Sequence, residues 1–358
     1  MHIIEHKIPN PLSSLPARWF PDPKGTVFFD IETTGLSWRN SHLYLLGVIC
    51  FEEGRWTLRQ WFCQRPSEEE TVLEEFSKLL KSRTLLVHFN GKGFDLPYLM
   101  HKYTFYRKES PFEPLNQLDL YEKLLPCKKL LGLTHMRQRD LEIFTGLCRK
   151  DPFTGGDLIS CYQEYLKTAS EDLLNTLLLH NREDMEGMLA LLPLLAFPGL
   201  QNGTLSFCIR GEQTEKNARF QLILPLSLPV CLDRTLQNIH FTVRDREAVL
   251  TVPFFEGTLK FFYENYKDYY YLPLEDEAIH KSVGVYVDRA HRRPAKAADC
   301  YRRVSGRFLP QFSQLFTPAF REDYRSSLLF FQPSSAFFHQ EEDMISYVRH
   351  LLIQLKKG

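Results

Sequence analysis

Two carboxylic acids stand one residue apart at the end of an apolar run near the start of the chain. Val27 to Phe29 is an apolar, β-favouring segment that predicts a buried strand, and Asp30 and Glu32 follow it. Because side chains alternate between the two faces of a strand, both acids project from one face. Like charges are costly to bury together, and a hard divalent cation with oxygen ligands would remove that cost. The alternative is a strand end whose acids simply reach solvent.

Two further acids and a histidine stand in similar positions later in the chain. Asp95 follows Asn90 by five residues, just beyond another predicted strand. His180 and Asp184 are four residues apart in a predicted helix, so they share a face that is otherwise apolar. An acid and an imidazole in an apolar stripe need polar partners. The first pair of acids would serve if a metal ion joined the three sites.

The strands and helices predicted around these residues are typical of an α/β domain. Strands are predicted at 27–32, 43–51, 56–62, 85–89 and 115–120, and helices at 67–80, from 94, from 134, at 158–166 and at 170–195. The first three strands are joined by short turns and should be antiparallel neighbours. The fourth follows a helical crossover and should be parallel. We therefore expect a mixed sheet with flanking helices.

The domain organisation follows from changes in pattern along the chain. Residues 1–24 carry several prolines without periodicity and indicate an N-terminal arm, and residues 25–196 form the α/β domain. Ala196 to Gly199 marks the boundary. Residues 205–358 predict a smaller, β-rich α+β accessory domain, with successive short strands, a further strand at 283–287 and a late helix from Glu342 to Lys357.

Composition limits the classes of protein and partner. The chain of 358 residues has 44 basic and 44 acidic side chains, so a nucleic-acid contact needs local patches of charge. Its eight cysteines are scattered and include no Cys-x-x-Cys, which argues against structural zinc and indicates reduced thiols. There is neither a signal-peptide pattern nor an apolar stretch of about 20 residues. These features predict a cytoplasmic protein without a membrane partner.

The order and spacing of these acid-bearing segments resemble those of a known enzyme family. Asp30-Ile31-Glu32, then Asn90-x-x-x-Phe94-Asp95, then a helix with Asp184, is similar to the three motifs of the DEDD, or DnaQ-like, 3′–5′ exonucleases. That group lies within the RNase H-like superfamily, and within it the match is to bacterial YprB-type ribonuclease H-like domain proteins. The resemblance covers residues 25–196 and implies an RNase H-like fold there.

The resemblance implies a metal-dependent site. Asp30, Glu32 and Asp184 would be the principal ligands of two Mg²⁺ or Mn²⁺ ions, with Asp95 holding one of them through water. The base that takes a proton from the attacking water would be His180. One branch of the family has Tyr three intervening residues before the last Asp, and the other has His with four. Here three residues separate His180 from Asp184, so the chain combines the residue of one branch with the spacing of the other. The alternative is a structural core histidine.

Substrate contacts are expected from two regions. Asn90 would fix the loop before Asp95 or hydrogen-bond substrate. A basic stretch in the second domain, residues 289–307, interleaves cations with aromatics, which suits phosphate contact and base stacking. Its candidate substrate-binding residues are Arg292, Arg293, Arg302 and Arg303. The alternative is a solvated charged turn.

The resulting functional hypothesis is a 3′–5′ exonuclease that hydrolyses phosphodiester bonds of single-stranded DNA or RNA by a two-metal mechanism. One alternative is a non-catalytic nucleic-acid-binding or assembly module with a relic site. The other is a structure-specific endonuclease. The sequence leaves the choice of DNA or RNA open, and it names no protein partner.

Overall fold

In a computed structural model that describes residues 1–355, the strand that carries Asp30 and Glu32 lies inside a six-stranded sheet. Its strands are β1 (His2–Lys7), β2 (Thr26–Thr33), β3 (Leu43–Glu52), β4 (Arg55–Phe62), β5 (Leu85–His88) and β6 (Asn116–Asp119). Their order is β1-β4-β3-β2-β5-β6. The antiparallel pairing of β2 with β3 and of β3 with β4, and the parallel pairing of β2 with β5, confirm the predicted mixed sheet.

Helices accompany these strands, some at the predicted positions and some, such as residues 16–19, outside them. They are α1 (Pro16–Trp19), α2 (Glu69–Leu80), α3 (Asp95–Phe105), α4 (Leu120–Leu124), α5 (Lys128–Leu131), α6 (Gln138–Phe144), α7 (Gly155–Thr168), α8 (Glu171–Leu191) and α9 (Ala196–Asn202). The long helix α8 packs against β2, β3 and β4.

The sheet is covered on both faces by apolar side chains, which is why its central strands are so strongly apolar. One core packs side chains of α2 and α3, such as Phe76 and Leu99, against Phe29 of β2. A second core packs α7 and α8 against Tyr44 and Phe62. The acids at the end of β2 therefore lie beside these two apolar cores.

The predicted N-terminal arm needs a correction. Within residues 1–24, His2–Lys7 is strand β1, which pairs antiparallel with β4 at the edge of the sheet. An edge strand is paired along one edge only, and all the side chains of β1 are exposed or half-buried. An apolar pattern is therefore not required of β1, and no local sequence pattern indicates this strand.

The second half of the chain is built mainly from strands. They are β7 (Cys208–Gln213), β8 (Asn217–Leu236), β9 (Ile239–Pro253), β10 (Phe255–Phe262), β11 (Tyr269–Leu272), β12 (Glu277–His280), β13 (Arg293–Pro294), β14 (Tyr301–Gln311) and β15 (Leu329–Phe331). They form three three-stranded sheets, ordered β7-β8-β9, β10-β14-β15 and β12-β11-β13. Two helices accompany them, α10 (Lys281–Gly284) and α11 (Glu341–Leu355). The predicted β-rich α+β class is confirmed.

One prediction in this half differs from the structure, and one agrees with it. Residues 283–287 begin within α10 rather than forming a strand. The predicted late helix is present as α11, and the last two residues of its predicted range, 356 and 357, lie outside the described residues.

The chain divides into two compact units. The first contains Met1–Lys128 and Leu133–Pro198, and the second contains Lys129–Gly132 and the chain from Gly199 onward. The predicted boundary at 196–199 lies inside helix α9. The pair Pro198-Gly199 therefore does not interrupt this helix. None of the helices in the described part of the chain has the length and apolar character needed to cross a bilayer.

Candidate active site

Strand β2 and helix α8 bring three of the predicted residues together. Nε2 of His180 lies 3.2 Å from Oδ2 of Asp184 and 3.6 Å from Oε1 of Glu32. Possible ligand atoms of these three side chains all lie within 4.8 Å of one another, so they could hold a metal ion. The spacing of four residues on α8 thus places the imidazole directly beside Asp184, as the helical period requires.

The other two acids interact with the same group of charges. Oδ2 of Asp30 accepts a hydrogen bond of 2.9 Å from the side-chain amide of Asn181. The carboxylate of Asp95, the first residue of α3, interacts electrostatically with those of Asp30, Glu32 and Asp184. The fold therefore gathers the four acids that the sequence singled out, and we call Asp30, Glu32, Asp95 and Asp184 the acid cluster.

Burial and mutual repulsion make this cluster difficult to ionise. Burial, followed by the charges of Asp184, Glu32 and Asp95, raises the pKa of Asp30 well above its usual range. Burial raises the pKa of Glu32 in the same way, with Asp184 and Asp95 adding to the effect. Burial also raises the pKa of Asp95 to about 7. A cation near these oxygens would lower all three values, because an opposite charge favours the ionised carboxylate.

The side chains present suit a hard divalent cation. Carboxylate oxygens are ligands that suit both Mg²⁺ and Mn²⁺. Repulsion among half-buried carboxylates is the electrostatic pattern expected of a metal site. The donor set therefore fits the metal ions that the family resemblance implies.

Helix α8 also anchors the acid cluster through a residue that the sequence analysis missed. Asn181 is fully buried and links Asp30 to Gln60, whose Nε2 donates to Oδ1 of Asn181 at 2.9 Å. Gly47, which pairs with Asp30 across β2 and β3, makes room for it, because a Cβ at Gly47 would overlap with Oδ1 of Asn181. A lone glycine inside the apolar run of β3 was the available signal of such a close approach.

His180 has a buried carboxylate on its other side. Oδ2 of Asp151 lies 2.5 Å from Nδ1 of His180, and the side chain of Asp151 is 1% exposed. His180 is therefore held between Asp151 and the acid cluster. Asp151 lies between two predicted helices, and nothing in its spacing relates it to His180, so sequence patterns alone could not have identified it.

Arg149 is a second residue that sequence patterns did not reveal. Its Nη2 lies 2.6 Å from Oδ1 of Asp184, and its guanidinium makes two bonds to the buried carboxylate of Glu142, of 2.5 and 2.7 Å. Gly187 of α8 makes room for Glu142, since a Cβ there would overlap with Oε1. Asp184 thus has a fixed cation on one oxygen and His180 beside the other.

Asn90 and Asp119 shape the loop that leads to Asp95. Asn90 has a left-handed backbone with a φ of 58°, a conformation in which Asn is enriched. Its backbone N–H donates to Oδ1 of Asp119 at 2.8 Å, and the same oxygen caps α4. These bonds support a role for Asn90 in fixing the loop, and Asp119 serves as a helix cap.

The arginines of the basic stretch belong to the second unit and contact aromatic rings and acids there. Arg292 and Arg293 stack on Tyr270 and Tyr271, with 4.6 and 4.5 Å from guanidinium carbon to ring centroid. Arg302 and Arg303, neighbours on β14, are exposed. Two of these four arginines have acid partners: Arg293 pairs with Asp299, and Arg303 with Asp276 and Glu277. Part of the positive charge is thus neutralised within the unit.

Comparisons with known proteins found a matching family model and a curated relative. Residues 27–196 match the family model described as RNase_H superfamily. The protein YprB of Bacillus subtilis (strain 168), which is described as uncharacterized, is 28% identical over 172 residues, 46% of this chain and 40% of YprB. The chain therefore spans about 40% of the length of the curated relative that it matches.

Solved structures of low similarity were also found. A family B DNA polymerase of the archaeon Pyrobaculum calidifontis is 14% identical, with a TM-score of 0.39, over 70% of this chain and 35% of the polymerase. Escherichia coli exonuclease I in complex with a dT13 oligonucleotide is 10% identical, with a TM-score of 0.31, over 61% of this chain and 54% of the enzyme.

The family match covers the three elements that build the site. It contains β2 with its two acids, α3 with Asp95 and α8 with His180 and Asp184. The mixed sheet with helices on both faces is the fold that the sequence resemblance implied. Residues 27–196 therefore have an RNase H-like fold and match the model of the RNase_H superfamily.

Proposed function

We propose that this protein is a metal-dependent nuclease that hydrolyses phosphodiester bonds. The observation that carries the proposal is the acid cluster, in which four carboxylates from β2, α3 and α8 interact near the C-terminal end of β2. Two divalent ions, Mg²⁺ or Mn²⁺, would be held by Asp30, Glu32, Asp95 and Asp184. Such ions polarise the phosphodiester and lower the pKa of a bound water.

The chain's own residues supply the positioning and the proton acceptor. Asn181 holds Asp30, and Arg149 holds one oxygen of Asp184. His180 presents Nε2 to Glu32 and Asp184, where it would accept the proton of the attacking water. The opposite ring nitrogen, Nδ1, is hydrogen-bonded to the carboxylate of Asp151. Each group therefore has a fixed place before substrate binds, which is the arrangement that general-base catalysis requires.

The finer form of the proposal is a 3′–5′ exonuclease that acts on single-stranded DNA or RNA in the cytoplasm. Its support is the order of the three motifs and the placement of their acids around His180. The basic stretch with Arg292, Arg293, Arg302 and Arg303 would add phosphate contacts on longer strands, and Asn90 would keep Asp95 in place.

The experiment is a digestion of end-labelled oligonucleotides. Single-stranded and duplex DNA and RNA, labelled at the 5′ end, are incubated with and without Mg²⁺ or Mn²⁺. A metal-dependent ladder that shortens from the 3′ end supports the proposal, whereas one internal cut indicates an endonuclease. Asp184→Asn should be inactive, and Glu186→Gln, the same type of change on α8 at a residue paired with Arg182, should be active. No cleavage of any substrate by the wild-type protein contradicts the proposal.

A further inference from the structure

The carboxylate of Asp151 is buried and is held in place by hydrogen bonds. Its Oδ2 lies 2.5 Å from Nδ1 of His180, and its Oδ1 accepts a hydrogen bond of 3.1 Å from the backbone N–H of Phe153. The side chain is 1% exposed. Both oxygens of this buried acid are thus satisfied, one by the ring of His180 and the other by its own turn.

The backbone at Asp151 is held by the same helix that carries His180. Glu183 of α8 accepts hydrogen bonds from the N–H groups of Lys150 and Asp151, at 2.9 and 3.0 Å. In return, Arg149 donates to Asp184 of α8 at 2.6 Å. Residues 149–151, which we call the clamp segment, and helix α8 therefore fix each other at three successive positions.

This contact decides which nitrogen of His180 carries a proton. A carboxylate accepts hydrogen bonds only, so Nδ1 must donate to Asp151. In the neutral imidazole the lone pair then belongs to Nε2. Nε2 is the atom that faces Oε1 of Glu32 and Oδ2 of Asp184. The acceptor is therefore directed at the acid cluster and not into the core.

We propose that Asp151 is a positioning residue: it fixes the ring orientation and the tautomer of His180, so that Nε2 can accept the proton of a water activated at the acid cluster. This inference rests on the proposed function and adds to it a residue that belongs to none of the three sequence motifs. Asp151 acts through His180 and contacts neither the reacting water nor the substrate.

The test is Asp151→Asn, which keeps the shape of the side chain and the bond to Phe153 but can replace Oδ2 with an amide N–H₂. An amide donor forces Nδ1 to accept and moves the ring proton to Nε2, which removes the base. In serine proteases the same change lowers the rate by about 10⁴ through the wrong tautomer. Here we expect a loss of roughly 10²–10⁴-fold in kcat, with KM and the melting temperature nearly unchanged. Asp157→Asn, the same change at an exposed cap of α7, is the matched control.

A positioning role is separated from a structural role by a double variant. In a His180→Ala background, adding Asp151→Asn should cost less than about threefold, because the two residues act as a unit. A structural role would produce the same loss in both backgrounds. That result, or a loss below about tenfold in the single variant, would overturn the inference.

A second readout does not depend on cleavage. ¹⁵N spectra of histidine-labelled protein, recorded with Mg²⁺ at a pH that keeps the imidazole neutral, distinguish the two tautomers of His180. We expect the proton on Nδ1 in the wild type and on Nε2 in Asp151→Asn. The same tautomer in both proteins would overturn the inference even if the wild type cleaves nucleic acid. If the wild type cleaves nothing, the proposed function fails and these spectra still decide the role of Asp151.

Discussion

Asp151 and His180 are 29 residues apart in sequence, yet Oδ2 of the acid lies 2.5 Å from Nδ1 of the imidazole. The opposite ring nitrogen, Nε2, lies 3.2 Å from Asp184, a residue of the acid cluster. A histidine between a buried carboxylate and a group of candidate metal ligands has both its orientation and its donor–acceptor pattern set by its neighbours.

Removing the imidazole should reduce the rate without releasing metal. If Nε2 of His180 accepts the proton of the attacking water, His180→Ala should lower kcat by roughly 10²–10⁴-fold, the usual range for general-base catalysis. The affinity for Mn²⁺ should change little, because the four acids remain. Single-turnover cleavage and a Mn²⁺ titration measure the two effects. A rate loss below about tenfold would make His180 a packing residue.

Much of this site could be predicted from sequence, because its acids lie on elements with strong local signals. β2 is an apolar strand that ends in two acids, and α8 presents His180 and Asp184 with helical spacing. Both patterns translate directly into shared faces. Arg149 and Asp151 could not be found in this way. They lie in an irregular segment, and only the tertiary packing against α8 brings them to Asp184 and His180.

The stability of the metal-free protein should decrease as the pH rises through the range in which Asp95 ionises. Folding raises the pKa of Asp95 from 3.8 to about 7, so the folded state binds more protons than the unfolded chain between these values. The free energy of unfolding therefore falls as the pH rises through this window. In EDTA the melting temperature of the wild type should fall between pH 5 and 7 relative to that of Asp95→Asn. A difference between the two proteins that is constant with pH, or that changes in the opposite direction, would contradict the assignment.

Gly47 should be intolerant of a side chain. Because a Cβ at this position would overlap with Oδ1 of Asn181, Gly47→Ala must displace the residue that bonds Asp30. We expect a loss of about 1–3 kcal/mol in the free energy of unfolding, the usual cost of overpacking, together with weaker Mn²⁺ binding. Gly155→Ala, where a Cβ meets nothing within 4 Å, is the control and should leave both unchanged. Equal effects of the two variants in urea unfolding would show that Gly47 has no special role.

The basic stretch should matter only for long substrates. Changing Arg292, Arg293, Arg302 and Arg303 to glutamine should raise KM on long single strands, and each lost phosphate contact should remove about 0.7 from the slope of log affinity against log salt. Cleavage of a dinucleotide, which has a single phosphodiester, should change little. Arg292 and Arg302 should contribute most, because Arg293 and Arg303 already pair with acids.

A matched-charge control separates specific contacts from net charge. Lys216, Arg219, Arg244 and Arg325 are exposed cations elsewhere in the second unit, and their fourfold glutamine variant removes the same charge. If both fourfold variants flatten the salt dependence equally, or if long and short substrates lose activity in parallel, the stretch is only a solvated surface.

The central claim is that the acid cluster binds divalent metal ions, and calorimetric titration with Mn²⁺ tests it most directly. Wild-type protein and Glu186→Gln should show saturable binding, whereas Asp30→Asn and Asp184→Asn should bind at least about tenfold more weakly, a change of about 1.4 kcal/mol. The melting temperatures measured in EDTA establish that each variant is folded. Equal Mn²⁺ affinity in the wild type and in both acid variants would contradict the account.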